Sequence, residues 1–81
     1  MMATVTLLYF ASLREAAGMP SEVAQTAASD LAGVYAEAQA RHGIAWPVEH
    51  LRVAVDGEFA RWRDAVRDGS EIAFIPPVSG G

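Results

Sequence analysis

Only one stretch of this chain repeats its apolar residues with a helical period, and that restricts the fold. Leu31, Val34, Tyr35 and Ala38 fall at i, i+3, i+4 and i+7, on one helical face. Ser29-Asp30 reads as an N-cap followed by a favourable first-turn acid. Arg41 and His42 suit the last turn, and Gly43 closes it in a left-handed cap. The main helix is therefore expected over residues 29–42. Gly33 inside it costs about 1 kcal/mol relative to alanine, a loss that close packing on a sheet would offset. One helix covers one face of one sheet, so the other apolar segments are expected to form a sheet with one covered face and one open face.

Those segments read as short strands. Thr4 to Phe10 is rich in β-branched and aromatic residues, with Val5, Leu7 and Tyr9 on one face and Thr4, Thr6, Leu8 and Phe10 on the other. Both faces turn apolar toward its end, as in an interior strand. Ser12-Leu13-Arg14-Glu15 matches a capping box, so a short helix with Ser12 as N-cap is expected, ending at Gly18. Ser21 to Thr26 has one strong β-former, Val23, and reads as an edge strand. Ile44 to His50 is a connection, with Trp46-Pro47 expected over one end of the core. Leu51 to Val55 alternates cleanly, and Asp56-Gly57 is a hairpin signal leading into Glu58-Phe59-Ala60. Arg61 to Arg67 is expected to be irregular, anchored by Trp62 and Val66. After the Asp68-Gly69 turn, Glu71 to Ile75 is the last strand. The order β, short α, β, long α, β, β, β suggests an α+β domain. The expected form is a β-grasp, or ubiquitin-like, roll: a mixed sheet of four to five strands with one main helix on one face.

Composition removes several function classes. The 81 residues make one domain with one modest core. A net charge of −4, six arginines and no lysine argue against a nucleic-acid surface. With no cysteine there is no disulfide, thiolate metal site or thiol nucleophile. His42 and His50 lack metal-ligand spacing, and no phosphate-binding loop is present. No signal peptide or membrane-spanning run is legible, so the expected location is cytoplasmic. The body shows no catalytic constellation, and no bound cofactor is expected.

The last strand runs into Ile75-Pro76-Pro77-Val78-Ser79-Gly80-Gly81. The domain is expected over residues 1–75 and an extended tail over residues 76–81. Pro76 and Pro77 end the strand and stiffen the chain. Gly80 and Gly81 carry no side chains to obstruct a narrow channel. A terminal carboxylate is ionised at neutral pH and a poor electrophile until a leaving group is installed. A partner that binds ATP must therefore activate it. Beside the tail, the open sheet face would carry Leu8, Phe10, Ala54, Ala73 and Ile75, with Phe59 joining from the hairpin, as an apolar docking surface.

Three stretches carry a family resemblance: Leu8 to Glu15, Leu51 to Phe59, and Asp68 to Gly81. Together they resemble the small, sulfur-carrier subunits of molybdopterin synthase. The final strand, Pro-Pro-Val, small polar residue and Gly-Gly are the most specific part. The resemblance implies a β-grasp fold and a C-terminal glycine, here Gly81, that is adenylated and converted to a thiocarboxylate. The adenylation is the work of an ATP-dependent adenylyltransferase resembling ubiquitin-activating enzymes. It also implies a large-subunit partner, in a heterotetramer, where sulfur passes to cyclic pyranopterin monophosphate and the large subunit supplies the catalytic residues. Partner contacts are implied for Gly80, Ser79, Val78, Pro77, Pro76, Ile75, Phe10 and Phe59. Many relatives carry asparagine at Asp56 and one or two lysines, and neither departure touches the tail. The alternatives are a sulfur carrier of the thiamine type and a ubiquitin-like protein modifier.

Overall fold

The computed structural model describes residues 2–77, so the expectations for Val78, Ser79, Gly80 and Gly81 lie outside the described residues. Five strands and two helices follow the expected order: β1 (Ala3–Tyr9), α1 (Ser12–Ala17), β2 (Ser21–Thr26), α2 (Leu31–His42), β3 (Arg52–Val55), β4 (Glu58–Ala60) and β5 (Glu71–Ile75). A 3-10 turn, Val48–His50, interrupts the connection after α2. The strands form one mixed sheet in the order β2-β1-β5-β3-β4. β1 and β5 run parallel, and the other neighbours are antiparallel. With α2 on one face, this is the β-grasp roll.

Burial follows the alternation of side chains along each strand. Val5, Leu7 and Tyr9 of β1, Val53 of β3, and Ile72 and Phe74 of β5 are buried with Leu31, Val34, Tyr35 and Ala38 of α2. Aromatic rings fill the middle. Phe74 lies 5.0 Å from Tyr35, 5.9 Å from Tyr9 and 6.1 Å from Trp62, centroid to centroid. Trp62 also donates its indole N–H to the Leu51 carbonyl at 3.3 Å, so the irregular segment after β4 closes one side of the core.

The turns obey local chemistry. Asp56 and Gly57 both take positive φ, 52° and 87°, as the tight hairpin between β3 and β4 requires. Asp56 does more than turn the chain: its Oδ1 accepts from the Glu71 amide at 2.9 Å and ties the hairpin to β5. Asp68 Oδ1 accepts likewise from the Thr4 amide at 2.7 Å.

Three local expectations are corrected. Ser12 does not cap α1. It is the first helical residue, and Ala11 occupies the cap position at φ 49°, ψ −123° without a side-chain cap bond. The cause is the exit from β1, a tight turn in which the Leu13 amide donates to the Phe10 carbonyl at 3.0 Å. For α2 the cap is Asp30 rather than Ser29, its Oδ1 accepting from the Gly33 amide at 2.9 Å. The Ser29 carbonyl is instead engaged by the Val66 amide at 3.3 Å, and Asp30 bridges Ala65. Gly33, finally, does not let the helix approach the sheet. A Cβ at this position would stand 2.8 Å from Ala28 Cβ and 3.3 Å from Asp30 Oδ1, so its lack of a side chain serves the incoming loop.

Candidate partner-docking site

β5 is the middle strand of the sheet, and its last residue opens the site. Phe74 points into the core, so Ile75 emerges on the open face, and Pro76 and Pro77 follow. Pro76 is buried and Pro77 exposed, so the first residue past the strand packs against the body. Ile75, Pro76 and Pro77 form one wall of an open groove of about 590 Å³, and Phe10, Ala11, Ser12 and Trp46 complete it. Two of these residues are set by backbone. Phe10 follows the last residue of β1 and is 47% exposed, which leaves much of its ring free. Trp46 sits on the connection after α2, where its carbonyl accepts from Tyr35 Oη at 2.7 Å and Gln39 Nε2 at 2.9 Å.

Among the described residues the lining is apolar except for Ser12. Such a groove buries contact surface. Among the described residues, no group of three or more His, Asp or Glu side chains could hold a metal ion. No helix there is long and apolar enough to cross a membrane.

Below the groove a polar cluster clamps the end of β1. Glu22 Oε1 accepts from Tyr9 Oη at 2.6 Å and Arg41 at 2.9 Å, and His42 Nε2 lies 2.8 Å away. Burial alone would raise the Glu22 pKa, but the bonds to Tyr9, His42 and Arg41 outweigh it and hold it down at about 2. Burial and the bond to Glu22 both push the Tyr9 phenol up. Tyr9 is thus a neutral donor that joins β1 to β2, with α2 supplying Arg41 and His42.

The open face continues away from the groove. Register places Leu8, Ala73, Ala54 and Phe59 in one row across β1, β5, β3 and β4. The two alanines make a low floor, and Phe59, 70% exposed, stands at the far edge. Its ring faces the Arg52 guanidinium at 5.7 Å. The structure therefore brings Phe10, Ile75, Pro76 and Pro77 together and sets Phe59 apart on the same face. Phe59 borders a separate hollow of about 510 Å³ with Asp56, Glu58, Asp64 and Arg67.

The profile of the ThiS family matches residues 7–81. The chain belongs to the ThiS family. Within the reach of that assignment, it is 35% identical to a molybdopterin synthase sulfur carrier subunit from Chlamydomonas reinhardtii, covering 95% of this chain and 98% of that one. SAMP1 from Haloferax volcanii superposes with a TM-score of 0.79 at 25% identity, over 98% of this chain and 100% of that one. A complex of subunits 1 and 2 of the molybdopterin-converting factor from Helicobacter pylori 26695 contains a chain with a TM-score of 0.64 and 26% identity, over 100% of both.

Sequence reasoning missed two parts of this ThiS-family groove. Trp46 was expected over the core, yet it also lines the groove. The bonds that place it come from Tyr35 and Gln39, 11 and 7 residues away, and leave no local signal. Ala11 carries even less, since a small residue between a strand and a helix has no pattern of its own.

Proposed function

We propose that this ThiS-family chain is the sulfur-carrier subunit of a molybdopterin synthase, acting in the cytoplasm in molybdenum cofactor biosynthesis. The observation that carries the reading is the near full-length likeness to the sulfur carrier subunit from Chlamydomonas reinhardtii, beside a family match that runs over residues 7–81. The geometry is in keeping with it. A rigid central strand delivers Pro76 and Pro77 beside an apolar groove with no catalytic side chain.

In this reading residues 1–75 are the β-grasp body and residues 76–81 an extended tail. The Gly81 carboxylate attacks the α-phosphorus of ATP in an adenylyltransferase resembling ubiquitin-activating enzymes, and pyrophosphate leaves. A sulfide equivalent then adds to the acyl carbonyl, AMP leaves, and a thiocarboxylate results. The tail enters the large subunit, where the sulfur is transferred to cyclic pyranopterin monophosphate and water restores the carboxylate. Val78, Ser79, Gly80 and Gly81 occupy a channel in the partner, while Phe10, Ile75, Pro76, Pro77 and Phe59 meet its outer surface. This chain contributes a substrate group and a docking face, and the partners contribute catalysis.

The likeness to SAMP1 favours a second reading, a ubiquitin-like protein modifier, in which an amine attacks the same acyl adenylate. Mass spectrometry after incubation with ATP, the activating enzyme and a sulfur donor separates the two. A sulfur-for-oxygen exchange at the C-terminus is expected for the carrier, and conjugates to protein amines for the modifier. An unchanged C-terminus overturns both.

A further inference from the structure

β2 forms an edge of the sheet, away from the tail. Among the described residues β2 has one neighbour, β1. The Tyr9 amide donates to the Pro20 carbonyl at 2.9 Å, which marks Tyr9 and Pro20 as a hydrogen-bonded pair just beyond the strand. Stepping by two along the register, Glu22, Ala24 and Thr26 direct their backbone groups at β1. Ser21, Val23 and Gln25 therefore direct theirs outward, and all three side chains are exposed.

Edge strands are normally guarded by lysine, an internal proline, a bulge or an inward-pointing charge. β2 has none of the first three. Its register with β1 runs unbroken from Ser21 to Thr26, and the chain contains no lysine. Its one charge, Glu22, is already engaged by Arg41 and His42 from α2, on the helix side of the sheet. At the centre of the edge, Val23 is 72% exposed on the opposite side.

We infer that this edge pairs with the β2 edge of a second copy of the chain, antiparallel and centred on Val23. The edge is self-complementary. With Val23 opposite Val23 of the second copy, Ser21 meets Gln25 and Gln25 meets Ser21. Every outward residue then faces an outward residue, and each such pair exchanges two backbone bonds. Glu22 falls opposite Ala24, so no like charges oppose each other. A slip that centres the pairing on Glu22 sets two carboxylates face to face and is disfavoured. The two valines form a β-branched cross-strand pair. The two-fold axis stands normal to the sheet, so the two β5 strands run in opposite directions and deliver their tails to opposite ends. The groove bounded by Trp46 and Ile75 takes no part in the contact, so the pairing is compatible with tail chemistry.

Sedimentation of the full chain from micromolar to millimolar concentration, joined to cysteine crosslinking, tests this. The chain has no native cysteine to interfere. A hydrogen-bonded pair holds its Cα atoms about 5.5 Å apart, inside the range of about 4.4–6.8 Å that a disulfide spans. Val23→Cys is expected to form a crosslinked dimer under mild oxidation. Gln25→Cys alone, lying off the two-fold axis, is expected to crosslink at least tenfold more slowly. Val23→Lys is expected to weaken self-association at least tenfold while leaving the thermal midpoint of the monomer unchanged. A wild-type chain that sediments as an 8.6 kDa monomer at millimolar concentration overturns the proposal. Equal crosslinking of the two cysteine variants overturns it too. So does β2 amide exchange that slows only when a different protein is added, since the edge would then belong to that protein.

Discussion

Phe74 and Tyr35 hold their rings 5.0 Å apart at an interplanar angle of 63°, across the contact between sheet and helix. Ile75 is the next residue and must point the other way. The core packing of Phe74 thus puts Ile75 on the open face.

Truncating that side chain is the first test. Phe74 is fully buried among Tyr9, Tyr35 and Trp62. Phe74→Ala is expected to cost about 3–5 kcal/mol, a large part of the stability of a domain this small. Urea unfolding should show a much lower midpoint with an unchanged slope. A loss under about 1 kcal/mol would mean that the cluster is not the centre of the core.

The opposite face gives the opposite expectation. Phe10 is 47% exposed and lines the groove. Phe10→Asp is expected to change stability by about 1 kcal/mol or less, yet to weaken binding of the large subunit at least tenfold, as loss of an interface anchor does. Calorimetric titration and thermal melting of the same variant separate the two effects. Wild-type binding by a folded variant is the result that rejects the groove as a docking surface, and a collapsed fold would place Phe10 in the core.

Ala11 holds φ 49°, ψ −123°, a region where a Cβ is strained. Ala11→Gly removes a strain of about 1–3 kcal/mol and adds back about 0.5–1 kcal/mol of backbone entropy. The net expectation is a gain of up to about 2.5 kcal/mol, read as a higher urea midpoint. Ala11→Val should move it the other way.

Glu22 gives a pH dependence with a definite sign. Its carboxyl titrates at about 2 in the folded chain against the ordinary 4.5, so the folded state binds fewer protons than the unfolded state between those values. Its contribution is present in full above the unfolded value and is lost as pH falls through the folded one. The side chain is 18% exposed and one partner, Arg41, is 39% exposed, so the expected size is on the order of 1–3 kcal/mol. Urea midpoints measured on each side of that window should fall toward acid for the wild type and fall less for Glu22→Gln. Parallel slopes would remove Glu22 as the source.

Much of the architecture was legible because it rests on period and turn chemistry. The spacing of Leu31, Val34, Tyr35 and Ala38 and the Asp56-Gly57 turn are local signals, and both appear as expected. The cap positions were misread for one physical reason. Ser12 and Ser29 have the right chemistry, but tertiary contacts chose other residues. The exit of β1 put Ala11 at the first cap, and the bridge to Ala65 put Asp30 at the second. In the site, Phe10 and Ile75 could be paired from strand alternation. The place of Trp46 depends on Tyr35 and Gln39 reaching its carbonyl, which no spacing rule encodes.

The tail gives the last test, and its strength lies in separating fold from function. Among the described residues the core is drawn from Val5 through Phe74. Deleting Gly81 is expected to leave the thermal midpoint within about 2 °C, as a change of a few tenths of a kcal/mol would, and to abolish thiocarboxylate formation. Gly80→Val is the sharper variant, because it keeps the terminal carboxylate and its length. A β-branched side chain there restricts the backbone and adds bulk where the partner's channel must close around the chain. Adenylation, followed as ATP-dependent pyrophosphate exchange, should fall at least tenfold while the fold stays intact. Wild-type exchange in Gly80→Val with none in the Gly81 deletion would keep the carboxylate as the reacting group and reject the narrow channel.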